Sequence, residues 1–361
     1  MLGADPRGRS EIDLLCDGVR QSVWSVRSHR VLRVSRAERA LLDPSRMHRV
    51  MILVVALAGG GAAVAGGQQT LRESRTEGLA VAAPDRRVAL PFPPGITLET
   101  QCGATDDLQD VELYDGTLGV SHEYVALHEP STVQFQWLSD QKLSERLPDH
   151  SPGNVAGTRW CTGTLFDERH VLTAGHCFDI ADGTSGWLTP FRFEQGSRIP
   201  VPPERLATLQ VANFRYQIAK DTGAIRLAEA FPIVELNEYR RGGLDYAIVT
   251  LGANAAGRLP GEVFAPRPIL VREPVALEAI ALIQHPQGLP KKIEAGRVRK
   301  VQGGDVLYDD VDTFGGSSGS GVRDASGAVI AVHTHGGCTT AGPGANRGVS
   351  TSAISSQSDM F

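Results

Sequence analysis

The chain has 361 residues, 41% hydrophobic and 21% charged, close to ordinary globular usage and enough for a sizeable core. The net charge of −5 is mild, and no Lys/Arg stripe occurs beyond the N-terminal segment, which argues against nucleic acid as a partner. With 40 glycines and 21 prolines, turns and short strands are favoured over long helices; no cofactor motif and no solenoid-length repeat is visible.

Residues 1–46 are Arg-rich and weakly patterned, and read either as an extension or as an upstream start. From Met47 the sequence runs Met-His-Arg, then the apolar Val50–Ala58, then small residues to Ala63-Val64-Ala65. A basic start, a short apolar run and a small-x-small site form the pattern of a secretory signal peptide over 47–65. The run is short for a membrane span. Export to the periplasm or the medium is therefore expected. Residues 66–120 turn from Gly/Gln-rich to Pro-rich to acidic without a sustained period, and read as a pro-segment or extended arm.

From about 121 to 361 the texture becomes short β-branched runs between turn residues. Ser131–Trp137, Cys161–Phe166, His170–Ala174, Ala247–Leu251, Val275–Ile283, Val298–Val301 and Ala328–Val332 are the predicted strands. This pattern predicts an all-β sandwich or barrel. The stretch Leu206–Leu236 is undecided and could hold a short helix.

Three stretches carry candidate chemistry. His176 follows the run Val171–Gly175 in a small-residue turn, and imidazole is the natural general base near neutral pH. Its neighbour Cys177 can pair with Cys161, clamping the histidine turn to another strand. A metal site on Cys161, His170, His176 and Cys177 is the rival, but the spacing fits no common zinc pattern, so no metal is expected. Asp245 sits at the mouth of the apolar Tyr246–Leu251, where a desolvated carboxylate needs a partner such as an imidazole N–H; a solvated strand-end aspartate is the alternative. Asp312–Gly321 is a glycine-rich turn centred on Ser318. Ser318 is a candidate nucleophile, with the amides of Gly316 and Ser318 as a candidate oxyanion cradle; a flexible Gly/Ser loop is the bland alternative.

Taken together, Thr173-Ala-Gly-His-Cys177, Leu244-Asp-Tyr-Ala-Ile248 and Gly316-Ser-Ser-Gly-Ser320 resemble the motifs of trypsin-like serine peptidases, in the order His, Asp, Ser. The resemblance covers residues 120–361. It implies two six-stranded antiparallel β-barrels with the active site in the cleft between them. It implies that Asp245 holds His176, that His176 takes the proton of Ser318, and that an acyl-enzyme forms and is hydrolysed. It implies polypeptide substrates, no cofactor, no stable membrane association after signal cleavage, and a monomer. The interval from His176 to Asp245 is long for the family, which predicts a surface insertion within 190–235.

Ser317 stands where trypsin has an aspartate that binds the freed N-terminal amine, so activation by that ion pair is ruled out. Ser317 and Ser320 both resemble the bacterial glutamyl endopeptidase branch. In that branch a histidine matching His333 and a hydroxyl matching Thr313 bind a glutamate carboxylate, which implies cleavage after Glu or Asp. Asp312 matches the position at which trypsin selects Arg and Lys. If its side chain turned into the pocket, the preference would reverse; the expectation is that it turns away. His335 is expected to face solvent. Of the remaining cysteines, Cys16 precedes the signal, and Cys102 with Cys338 either pair, tying the arm beside the pocket, or stay free. The rival functions are an Arg/Lys-specific peptidase and a non-catalytic double-barrel binding protein.

Overall fold

The computed structural model describes residues 100–361; the proposed signal peptide and the segments around it lie outside the described residues. Described elements begin with strand β1 (Gln109–Asp110) and helix α1 (His122–His128), followed by β2 (Thr132–Trp137), helix α2 (Asp140–Arg146), β3 (Arg159–Leu165) and β4 (His170–Thr173). Next come the hairpin β5 (Phe191–Glu194) and β6 (Ser197–Pro200), helix α3 (Pro203–Ala207), β7 (Gln210–Phe214), β8 (Glu229–Tyr239) and β9 (Ala247–Leu251). The second half holds β10 (Ala279–Gln284), β11 (Lys292–Arg297), β12 (Lys300–Gln302), β13 (Asp305–Tyr308), β14 (Gly321–Arg323), β15 (Val329–His335), β16 (Asn346–Ser350) and helix α4 (Thr351–Ser355). No described helix is long and apolar enough to cross a membrane.

Strands β2-β3-β4-β9-β8-β7 close into a six-stranded antiparallel barrel. Its inside is Val133, Phe135, Leu165, Val171, Phe214, Phe231, Val249 and Leu251, all buried. Alternation along each strand supplies this face, and Phe214 stacks on Phe264 at 4.4 Å between ring centroids. The second half is an eight-stranded antiparallel sheet, β1-β11-β10-β14-β15-β16-β13-β12, curled around Leu282, Val306, Tyr308, Val322 and Ile330. The expected all-β double-barrel architecture is present, with one difference. The second barrel does not close, because β1 and β12 are short strands added at opposite ends and do not pair with each other. A third cluster, including Leu172, Tyr246, Ile248, Val329, Val332 and Val349, glues the two halves face to face.

Two expectations from the sequence change. The insertion expected in 190–235 is only the hairpin β5-β6, which pairs with itself; β7 and most of β8 in that range are barrel strands. The Pro and Arg residues there hid the alternation, since α3 covers just Pro203–Ala207. The packed fold also starts before 121. Residues Gln109 and Asp110 pair with Ile293 and Lys292, and Val111 and Tyr114 bury against Ala281, Ile283 and Ile293. Two isolated apolar side chains give no period, so the sequence reads as an arm.

That arm is latched at its far end. Glu112 accepts hydrogen bonds from Gln217 Nε2 (2.7 Å), from the Lys220 amide (3.2 Å) and from both Arg226 Nη2 (2.6 Å) and Arg226 Nε. The Arg226 hydrogen bond outweighs the opposing effect of burial and, with the other donors, lowers the Glu112 pKa to about 2. A depressed carboxylate stabilises the fold fully above its ordinary pKa and loses that contribution as pH falls towards its folded value. Glu112→Gln should therefore lower thermal stability at pH 7, by about 1–2 kcal/mol. The difference from the parent should shrink between about pH 4.5 and 2. A pH-independent difference in Tm scans would show that the ion pair is not its source.

Candidate active site

His176 lies on a single helical turn, Gly175–Phe178, that ends β4. Asp245 lies just before β9, the strand paired with β4. Because Thr173 is paired with Ala247, the two chain ends leave the barrel side by side. Asp245 takes both the His176 amide on Oδ1 and the His176 ring Nδ1 on Oδ2, each at 2.8 Å. The other ring nitrogen, Nε2, is 2.7 Å from Ser318 Oγ. Residues from both halves thus meet in one hydrogen-bonded line from carboxylate to imidazole to hydroxyl.

Asp245 is buried, and burial pushes its carboxyl up; the charge and hydrogen bonds of His176 and the Arg240 guanidinium more than offset this and hold it well below the usual carboxylate range. Arg240 Nη1 stands 3.5 Å from Asp245 Oδ1, while its Nε and Nη2 bind Asp179 at 2.9 and 2.7 Å. His335 does not simply face solvent. It is partly buried, with its ring centroid 5.7 Å from that of His176 and Nδ1 3.7 Å from Asp245 Oδ2. Burial, then the nearby His176, pushes the His335 imidazole down to about 4.

Ser318 is held by the glycine turn and by β3. Gly319 has φ +88°, and a Cβ there would stand 2.0 Å from Thr173 Oγ1 and 2.1 Å from the Thr162 carbonyl. Gly316 has φ +106°, and a Cβ there would stand 2.7 Å from the His285 carbonyl. Only glycine suits either position. Ser317 Oγ accepts from the Phe314 amide at 3.2 Å and Ser320 Oγ donates to the Ser317 carbonyl at 2.6 Å, closing the turn on itself. Thr162 is a residue the sequence did not flag. Its amide donates to the Ser318 carbonyl at 2.8 Å, and its hydroxyl donates to the Gly316 carbonyl at 2.7 Å while accepting from the His285 amide at 3.0 Å. The signal for it was only its place beside Cys161.

Cys161 and Cys177 are disulfide-bonded, which takes both sulfurs out of any metal site. Cys102 and Cys338 are also bonded, so the arm is covalently tied to the second half. Asp312 is engaged by the arm and not by the cleft. Its carboxylate accepts from the Cys102 amide at 2.6 Å and the Asp107 amide at 3.1 Å, both in the arm. Two backbone donors satisfy a buried carboxylate that would otherwise be costly. Thr313, next to Asp312 in the chain, and His333 are fully buried. Thr313 Oγ1 has no hydrogen-bond partner among the described residues. His333 Nδ1 bonds the Tyr308 hydroxyl. Burial, with His176 nearby, lowers the His333 imidazole to about 3, so the ring is neutral at pH 7. A cleft of about 440 Å³ opens beside Ser318 and His176, towards Trp160 and Trp187. Thr313, His333 and Asp312 do not line it.

Residues 161–332 match the family model described as a trypsin-like peptidase domain. The chain carries a trypsin-like serine peptidase domain. Cys161 opens the matched span, and His176, Asp245 and Ser318 all fall inside it. Solved structures similar to the chain include a Glu endopeptidase in complex with MPD, at 16% identity over 71% of this chain and 96% of that one, TM-score 0.40. A protease named Anisep from Arthrobacter nicotinovorans aligns at 14% identity over 64% and 94%, TM-score 0.41. A serine endoprotease from Yersinia pestis aligns at 13% over 65% and 63%, TM-score 0.40. Likeness at this level says nothing about what the peptidase domain cleaves. No curated protein matches the sequence.

The turn geometry makes one sharp prediction. Gly319→Ala should cost at least about 2 kcal/mol, from the clash and the positive φ together. It should also cut peptidase activity at least about tenfold by moving Ser318 away from His176. A variant with parental Tm and parental kcat would show that the turn tolerates a side chain against Thr173 and the Thr162 carbonyl.

Proposed function

We propose that the protein is an exported serine endopeptidase that cleaves after Glu, and secondarily Asp, through Ser318, His176 and Asp245. The observation that carries the catalytic part is the line of two hydrogen bonds from Asp245 through His176 to Ser318. Asp245, ionised far below neutrality, accepts the proton-bearing Nδ1 of His176 and leaves the Nε2 lone pair facing Ser318 Oγ. As Ser318 Oγ attacks the substrate carbonyl, its proton passes to Nε2. The amides of Gly316 and Ser318 stabilise the oxyanion, in a turn whose backbone is already fixed by Thr162. His176 then hands the proton to the leaving amine. Water repeats the sequence on the acyl-enzyme, with His176 as base and Ser318 as leaving group.

Glutamate preference rests on His333 and Thr313. With the Tyr308 hydroxyl donating to Nδ1, the neutral imidazole carries its proton on Nε2, the tautomer that donates to a carboxylate. The unpartnered Thr313 hydroxyl offers a second donor. The Arg/Lys alternative needs a free Asp312 carboxylate, and both of its oxygens are occupied by arm amides. Export fits two disulfides, which persist in an oxidising compartment. In this reading residues 47–65 are the signal removed on the way, and residues 66–99 are a pro-segment or linker.

Two measurements test the proposal. Asp245→Asn should lower kcat by about 10³–10⁴ with little change in KM, because the imidazole loses its orienting acceptor. His333→Ala should lower kcat/KM on a Glu peptide by roughly 10–100-fold and leave a Gln peptide much less affected. Cleavage of Glu peptides at parental rates by the His333 variant would remove the pocket assignment. Near-parental kcat in the Asp245 variant would remove the mechanism.

A further inference from the structure

The cleft beside Ser318 is the part of the site that the preceding mechanism leaves unused. From the second half it receives only the serine turn and His335; the rest of its wall comes from the first barrel and the turn after His176. The apolar part is Val155, Trp160, Ile180 and Trp187. Trp160 and Trp187 stand 5.8 Å apart between ring centroids, and Trp160 lies 5.9 Å from the buried Trp137. Trp160 Nε1 is anchored on Gln210 Oε1 at 3.1 Å. A ladder of three indoles, the innermost in the core, makes a rigid aromatic wall. Ile180 is 44% exposed at the opening, a large apolar side chain. The polar rim holds Asp179, Asp182 and Arg240. Arg240 is engaged by Asp179; Asp182, whose carboxylate takes the Thr184 amide and hydroxyl, adds a second negative charge to the rim, with Arg198 bonded to its backbone carbonyl.

The side of the reaction that this cleft serves follows from the proton path. His176 Nε2 gives its proton to the leaving nitrogen, so the leaving half of the substrate must stand on the imidazole side of Ser318. The acyl half runs the other way, towards Thr313 and His333 in the second half. The cleft starts at Ser318 and His176, passes Cys161 and is otherwise lined mostly by first-half residues and the turn after His176; neither Thr313 nor His333 lines it. We infer that it receives the side chain immediately following the scissile bond and selects a large apolar or aromatic residue there, rejecting an acidic one. Indole faces and Ile180 supply the apolar contact, and Asp182 repels a carboxylate. The inference rests on the serine peptidase reading, but not on the glutamate preference, since the two selections lie on opposite sides of Ser318.

Reversal of the acylation step isolates this selection from the other. An added amine can replace water in attacking the acyl-enzyme: its nitrogen bonds to the acyl carbon, the bond to Ser318 Oγ breaks, and the amine proton passes through His176 Nε2 to Oγ. The ratio of amide to acid product, at fixed amine concentration, reads binding on the leaving side alone. The experiment uses the processed, disulfide-intact protein with blocked Glu and Arg thioesters as donors, and glycinamide, leucinamide, phenylalaninamide and aspartic acid α-amide as acceptors. Leucinamide and phenylalaninamide should give ratios at least roughly tenfold above glycinamide, with the acidic amide lowest. Trp187→Ala and Ile180→Ala should each bring the phenylalaninamide ratio down towards that of glycinamide. The acid formed in the same tube reports whether each variant still has a working centre. Equal ratios for all four amines, with acid product formed, would overturn the inference and leave the peptidase reading standing. No turnover of either thioester would overturn both.

Discussion

Two consecutive residues of one strand hold His176 and Ser318 together. Cys161 is bonded to Cys177, the residue after His176, and so fixes the imidazole turn to β3. Thr162 grips the serine turn through the Ser318 and Gly316 carbonyls. His176 belongs to the barrel and Ser318 to the sheet, yet both are tied to β3. This is where the interface between the halves becomes chemistry. Apolar contacts such as Leu172 and Ile248 against Val329 and Val332 press the halves together, but such contacts are non-directional. Directional bonds at Thr162 set the distance that a proton transfer needs. The disulfide adds roughly 3 kcal/mol of unfolded-state restriction in the chain-entropy model.

The electrostatics follow the same division. Asp245 is buried but surrounded by the His176 amide, its ring N–H and the Arg240 guanidinium, so it stays ionised where an isolated carboxylate would not. Asp312 is also buried and is held by two backbone amides from the arm, which do not fully offset burial, so its carboxyl is pushed up. One carboxylate orients an imidazole and the other fastens a chain segment. Sequence position gives no hint of this difference. What decides it is which donors the fold delivers to each.

The legible part of the sequence is where one local pattern has one physical outcome. Ala247–Leu251 and Thr132–Trp137 alternate or run apolar between turns, and they are strands. The three motifs around His176, Asp245 and Ser318 place those side chains within hydrogen-bond reach of one another. The pairing of Cys161 with Cys177 was readable from the turn between them. What stayed hidden depends on partners distant in sequence. Glu229–Tyr239 is an eleven-residue strand interrupted by two register shifts, and its Glu and Asn residues mask the period. The arm's packing rests on Val111 and Tyr114 alone, and Asp312's role on donors some 200 residues earlier. Thr162 is an ordinary strand threonine until the serine turn is laid across it. His335, read as solvent-facing, is so only in part, because no local pattern says that β15 ends beside the imidazole.

The most direct test of this account is the rate at which a fluorophosphonate modifies the intact protein and its Thr162→Val variant, with the labelled residue mapped by mass spectrometry. The account predicts a single adduct on Ser318 in the parent and a label on the same residue formed at least about tenfold more slowly in the variant. An adduct elsewhere, or equal rates in the two proteins, would contradict it.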